Sequence, residues 1–176
     1  MKRGEFEHAI RAAGAVLGVN EVLVIGSQAL HATIHGALPD EAARSVEVDV
    51  AVRGDEEGRL ADLVDGSIGE ASMFHATFGY YAQGVVESTA ILPEGWRGRL
   101  VRFETPATNG VVAWCLEVHD LWISKAIAGR PKDIEFCAAL ARRGIVDGKT
   151  LEARLVMVRD LDPRVREAVE GRITSL

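Results

Sequence analysis

Between residues 45 and 52 the chain alternates Ser45/Glu47/Asp49/Ala51 against Val46/Val48/Val50/Val52. A period of two places an apolar set on one face of a strand and a polar set on the other. Upstream, Phe6, Ala9, Ile10, Ala13 and Leu17 recur at helical spacing over residues 4–17, and Gly18 and Asn20 stop that helix. The unbroken run Val22–Ile25 reads as a buried strand ending at Gly26-Ser27, with a helix over Gln28–His35 closed by Gly36 and Pro39.

Farther along, a short helix is expected over 55–65, followed by a Gly-rich aromatic stretch, 66–84, of loop and strand. Val85–Leu92 and Leu100–Phe103 read as strands joined by the turn Pro93-Glu94-Gly95-Trp96, and Val111–Leu116 as a further strand. Val118–Ala128, Lys132–Arg143, Thr150–Val158 and Asp162–Arg172 read as helices. Strands mixed with helices, then helices alone, predict an α/β (α+β) architecture: a short mixed sheet flanked by helices, with C-terminal helices. The expected division is 1–116 as core and 117–176 as a helical region closing the cleft, in one compact unit.

At 176 residues and 48% hydrophobic, the chain is long enough for one core without staples. A net charge of −6 disfavours a general nucleic-acid coater, although Arg97, Arg99 and Arg102 cluster locally. Cys115 and Cys137 sit in apolar stretches without metal-ligand spacing and read as buried thiols. The first residues read as an amphipathic helix rather than a leader, and no apolar run approaches the roughly 20 residues that span a bilayer. The expected location is the cytoplasm, away from membrane.

Candidate chemistry centres on Glu47 and Asp49. Two apart on a strand, their carboxylates share a face and repel unless a cation or water intervenes. From the pair alone, a solvated polar face is the simpler explanation. The strand–Gly26–Ser27–helix element changes this, because a glycine and a helix start both suit an approaching phosphate. Mg²⁺ takes one or two carboxylates plus phosphate oxygens, so acids and turn together make a workable phosphoryl- or nucleotidyl-transfer device. Lys125 lies in an apolar helix, where its ammonium must reach solvent or an anion. Arg130, Lys132 and Asp133 follow at the next helix start, where Asp133 also suits the helix dipole. His31, His35, His75 and His119 share no metal-ligand spacing. Phe74, Phe78, Tyr80 and Tyr81 read as core, and Trp96 as packing beside a turn.

Gly26-Ser27 followed by Ser45-x-Glu47-x-Asp49 resembles the signature of polymerase-β-type nucleotidyltransferases. Leu121-x-x-x-Lys125-x-x-x-Gly129-Arg130-Pro131-Lys132-Asp133 is similar to a helix motif of the AbiEii/MenT-type branch, which supplies toxins of toxin–antitoxin pairs. DGSIGEASMFHATFGYYAQGV and LPEGWRGRL look like a bacterial nucleotidyltransferase-like family within that superfamily, whose first acid is commonly Glu.

The resemblance, over roughly residues 20–150, implies a minimal nucleotidyltransferase fold and an NTP donor, with Mg²⁺ on Glu47 and Asp49. It makes Glu47, Asp49 and Lys125 catalytic, with Lys125 neutralising phosphate charge, sets Gly26 and Ser27 to cradle the phosphates, and assigns nucleotide binding to Arg130, Lys132 and Asp133 as well. It also implies an RNA (tRNA) or protein acceptor and an antitoxin as partners. The superfamily's common motif has Asp where Glu47 stands, and its third carboxylate has no clear counterpart; Glu87, on the expected strand Val85–Leu92, is the candidate. Two alternatives stay open: a non-catalytic nucleotide- or partner-binding module, and a small-molecule nucleotidyltransferase of the antibiotic-modifying kind.

Overall fold

The apolar run after Asn20 forms a strand with neighbours on both sides. In the computed structural model, which describes residues 1–176, β1 (Glu21–Val24) lies at the centre of a five-stranded mixed sheet. The other strands are β2 (Glu47–Ala51), β3 (Tyr81–Gly84), β4 (Val101–Phe103) and β5 (Val112–Cys115), in the order β3-β2-β1-β5-β4. β1 is antiparallel to β2 and parallel to β5, β2 is parallel to β3, and β4 is antiparallel to β5. Val22, Leu23 and Val24 are buried, as a strand covered on both faces requires. In β2 only Val48 and Val50 of the valine set are buried within the strand; Val46 lies outside it and is 47% exposed.

Helices cover this sheet. α1 (Arg3–Leu17) buries Phe6, Ala9, Ile10 and Ala13 and stops at Gly18, which takes the left-handed conformation (φ 65°) that L side chains resist. α1 packs against α3 (Arg59–Ile68), which lies on β3. α2 (Asp40–Ala43) is one turn ahead of β2. β5 leads into α5 (Val118–Ala128), against which α6 (Pro131–Arg142), α7 (Gly148–Val156) and α8 (Pro163–Thr174) all pack. Trp122 on α5 is fully buried and donates from Nε1 to the Cys137 carbonyl at 3.0 Å, fastening α5 to α6. One hydrophobic core runs from Phe6 through the sheet to Ile173, so sheet and C-terminal helices share an interior. Cys115 and Cys137 are free and buried. No helix is long and apolar enough to cross a membrane.

Four expected elements differ. The stretch 85–92 is not a strand: it turns through a 3₁₀ segment, Glu87–Thr89. The Val85 amide still donates to the Val50 carbonyl at 2.9 Å, but β2 ends at Ala51 and no ladder continues beyond it. Gly84 is pressed against α3, where a Cβ would overlap the Ala61 carbonyl. Gln28–His35 forms a six-residue 3₁₀ helix, Ser27–Ala32, rather than a longer α-helix. Within 66–84, α3 continues to Ile68, and α4 (Met73–Phe78) starts at Ser72, whose hydroxyl accepts the His75 amide at 3.1 Å. α3 begins later than expected, at Arg59, because the Asp55 carboxylate accepts the Leu60 and Ala61 amides from outside the helix.

A buried ion network ties the turn before β4 to the helical half. Asp120 on α5 is fully buried and receives Arg99 in a fork, with Nε at 2.7 Å and Nη2 at 3.0 Å. Arg154 of α7 stands 3.1 Å from the same carboxylate. Burial pushes the Asp120 carboxyl up, against the pull of the two guanidinium groups. Removing one partner of a buried pair strands the other charge, a loss of about 3 kcal/mol. Asp120→Ala is therefore expected to lower unfolding stability by about that amount in urea titration. An unchanged midpoint would show that water compensates the two arginines.

Candidate functional site

The register Val24↔Val50 brings Asp49 beside the end of β1, where the Ile25 amide donates to the Asp49 carbonyl at 3.3 Å. The Asp49 side chain then lies directly over Gly26: a Cβ at that position would overlap the carboxylate. Gly26 has extended backbone (φ −99°, ψ −170°), so it is required here by close approach, not by backbone freedom. What the glycine admits is the chain's own acid.

Glu47, two residues earlier, reaches the same cleft. Its Oε2 accepts the Tyr81 hydroxyl at 3.0 Å, across the parallel register Glu47↔Tyr81. Burial and that hydrogen bond to Glu47 push the Tyr81 phenol up to about 12, so it stays a donor at neutral pH. The next pair along the same ladder sets Gln83 beside Asp49.

The facing wall is cationic. Lys125 comes from α5 and Arg130 and Lys132 from the α5–α6 junction; with Gly26, Glu47, Asp49, Gln83, Thr89 and Ser124 they line a cleft of about 260 Å³. The Lys125 side chain is only 17% exposed, and its ammonium stands 3.5 Å from Asp133 Oδ1. The anion it needed is therefore supplied by the protein. Arg130 also engages Asp133, with Nε at 2.6 Å and Nη2 at 3.2 Å. Burial works to raise the Asp133 carboxyl, but Arg130 and Lys125 outweigh it and hold it below the usual carboxylate range. Asp133 thus sits behind the cleft, fixing two cations in place. Lys132 is 66% exposed and only loosely paired with Glu47 at 3.9 Å.

The structure accordingly gathers Gly26, Glu47, Asp49, Lys125, Arg130 and Lys132 at one cleft. Ser27 and Asp133 are not among its lining, and the Ser27 hydroxyl accepts from the Gln28 side-chain Nε2 at 3.3 Å. Glu87 is not brought to the acid pair: it faces the neighbouring cavity, with its carboxylate engaged by Arg97. Tyr81 and Gln83, which sequence reasoning did not place here, arrive by strand pairing. The histidines stay apart from the cleft: His31 is buried and stacked on Phe6 at 4.8 Å, and His119 lies between Glu117 (2.7 Å) and Asp147 (3.2 Å).

The donor set suits a hard cation. Two carboxylates without histidine or cysteine favour Mg²⁺ or Mn²⁺ over Zn²⁺. No group of three or more His, Cys, Asp or Glu side chains is placed to hold a metal ion, so a cation on Glu47 and Asp49 would take its further ligands from phosphate or water.

Burial raises the Asp49 carboxyl, Lys125 lowers it, and the neighbouring Glu47 charge raises it again; the net shift is upward. An acid whose folded pKa is raised costs stability when ionised, and that cost disappears as pH falls to the unfolded value. Asp49→Asn is thus expected to raise the melting temperature at pH 7, with the gain fading as pH falls through the raised folded pKa and gone below about pH 4. A loss of stability at pH 7 would show that the cations more than compensate the buried charge.

Residues 6–169 match a family described as "Nucleotidyltransferase of unknown function (DUF6036)". No curated protein and no solved structure matches the chain. The match spans nearly the whole length, including the Gly26 turn, the acid strand and the Lys125–Asp133 segment. The chain belongs to this family of nucleotidyltransferases.

Proposed function

We propose that the Glu47/Asp49 cleft transfers a nucleotide from an NTP to an acceptor hydroxyl with Mg²⁺. The observation that carries this reading is the meeting of two opposed charge sets. A carboxylate pair on β2 faces Lys125, Arg130 and Lys132 across one cleft, with Gly26 leaving room for the deeper acid. Glu47 and Asp49 would hold the metal, which supplies charge neutralisation and orientation when bound. The cations of α5 and α6 would hold the triphosphate and stabilise the leaving pyrophosphate. In the transfer, the acceptor oxygen forms a bond to the α-phosphorus as the bond to the bridging oxygen of the β-phosphate breaks. The acceptor's proton passes to water. Tyr81 keeps the longer glutamate arm aimed into the cleft.

By the resemblance of its α5–α6 motif, the acceptor is an RNA such as tRNA, or a protein. The biological role is that of a toxin held by an antitoxin. A second reading has one observation in its favour: Gln83, a neutral amide, stands beside Asp49, and no third acid joins the pair. On that reading the cleft binds nucleotide without transfer.

The decisive experiment incubates the protein with each labelled NTP, Mg²⁺, total RNA and lysate protein, and follows the label. Transfer is expected, to be abolished by Asp49→Asn, and to fall by about 10²-fold or more in Lys125→Ala, the scale of losing one electrostatic stabiliser. NTP is also expected to raise the melting temperature in Mg²⁺ but hardly in EDTA. Metal-dependent stabilisation without any transferred label would favour the binding module. Equal stabilisation in EDTA would remove the metal site.

A further inference from the structure

The edge strand β3 meets the acid strand with two polar side chains. Its parallel register with β2 pairs Tyr81 with Glu47 and Gln83 with Asp49. Residues two apart share a face, so both project to the side on which the acids lie. Their surroundings differ: Gln83 is exposed, whereas Tyr81 is 7% exposed. The Tyr81 ring packs on that of His75 from α4, with centres 4.7 Å apart, and its hydroxyl donates to Glu47 Oε2 at 3.0 Å. His75 is fixed in turn, its Nδ1 accepting the Ala71 amide at 3.2 Å.

This arrangement makes the two oxygens of Glu47 unequal. Oε2 belongs to the tyrosine. Oε1 is paired with Lys132 alone, 3.9 Å away on a side chain that is 66% exposed. An exposed ammonium at that distance is weakly held, so Oε1 is the oxygen free to meet a cation. Presenting both oxygens to one cation would require the carboxylate to turn, and the hydroxyl on a buried ring would lose its acceptor. The companion acid is restricted as well. An ideal Cβ on Gly26 would lie 1.6 Å from Asp49 Oδ2, so this carboxylate rests against the backbone of the turn.

Restricted carboxylates distinguish hard cations by the number of oxygens each cation demands. Mg²⁺ is small, keeps several of its waters and needs only one or two carboxylates alongside phosphate. Ca²⁺ is larger, gathers more oxygens and often takes both from one carboxylate. We propose that Tyr81 is a positioning residue that sets the cation specificity of the cleft. By holding Oε2 it limits Glu47 to binding through one oxygen, which suits Mg²⁺ and handicaps Ca²⁺. The inference rests on the metal-site reading of the acid cleft and adds to it the residue that selects the ion.

The test follows the melting temperature of wild type and Tyr81→Phe as ATP, GTP, CTP and UTP are each titrated as the Mg²⁺ or the Ca²⁺ complex, with EDTA as the metal-free control. The dependence of the midpoint on concentration gives an apparent affinity for each complex. Phenylalanine keeps the ring that packs on His75 and removes only the hydroxyl. Wild type is expected to bind the Mg²⁺ complex about tenfold or more tightly than the Ca²⁺ complex. Tyr81→Phe is expected to narrow that preference about fivefold, the fold-change of one ordinary hydrogen bond. A Tyr81→Phe protein that melts earlier yet keeps the wild-type preference would show a hydroxyl that serves the fold alone, and would overturn the assignment. Equal affinity of wild type for the two complexes would overturn it without any variant. A wild type in which neither metal adds to the shift seen in EDTA would instead overturn the metal-site reading, and the selectivity role with it.

Discussion

The seating of Asp49 on Gly26 is the constraint from which the site follows. It comes from the antiparallel pairing of β1 and β2, whose register sets the acid strand beside the turn that ends β1. Any side chain at residue 26 would displace the carboxylate. The same pairing puts Glu47 within reach of the cleft and turns Val48 and Val50 into the core, so packing and chemistry share one five-residue strand. A one-residue slip would reverse both faces at once.

Around that strand, buried acids fix the neighbouring cations. Asp133 holds Lys125 and Arg130, and Asp120 holds Arg99 and Arg154. Neither of these acids lines the acid cleft. Each is nearly or fully removed from water, where an unpaired carboxylate would be costly, so each demands cations at defined positions. Long, flexible side chains are thereby held in place, with less entropy to lose on contact with an anion. α5 carries both Asp120 and Lys125, which makes this helix the bridge between the cleft and the Trp96 turn.

Much of the architecture was legible in the sequence because local pattern decided it. Helix α5 has the predicted bounds, and α1, α6 and the strands β1, β2 and β5 lie within a few residues of theirs. Each is a periodic run with a stop signal. The stretch 85–92 misled because its apolar ends, Val85-Val86 and Ile91-Leu92, suit a strand, yet strand formation needs a partner and β2 is too short to provide one. α4 was missed because six residues with a single serine cap make too short a period to read.

The sequence by itself determined the acid pair, the Gly26 turn, the cationic α5–α6 segment and the burial of the central strand. All follow from side-chain type at fixed short spacing. Only the tertiary structure decided what each does. It filled the space over Gly26 with Asp49, placed Asp133 behind the cations, and turned Glu87 toward Arg97. It also set Tyr81 on Glu47. Those relations join residues tens of positions apart through strand register and helix packing, which spacing along one chain does not encode.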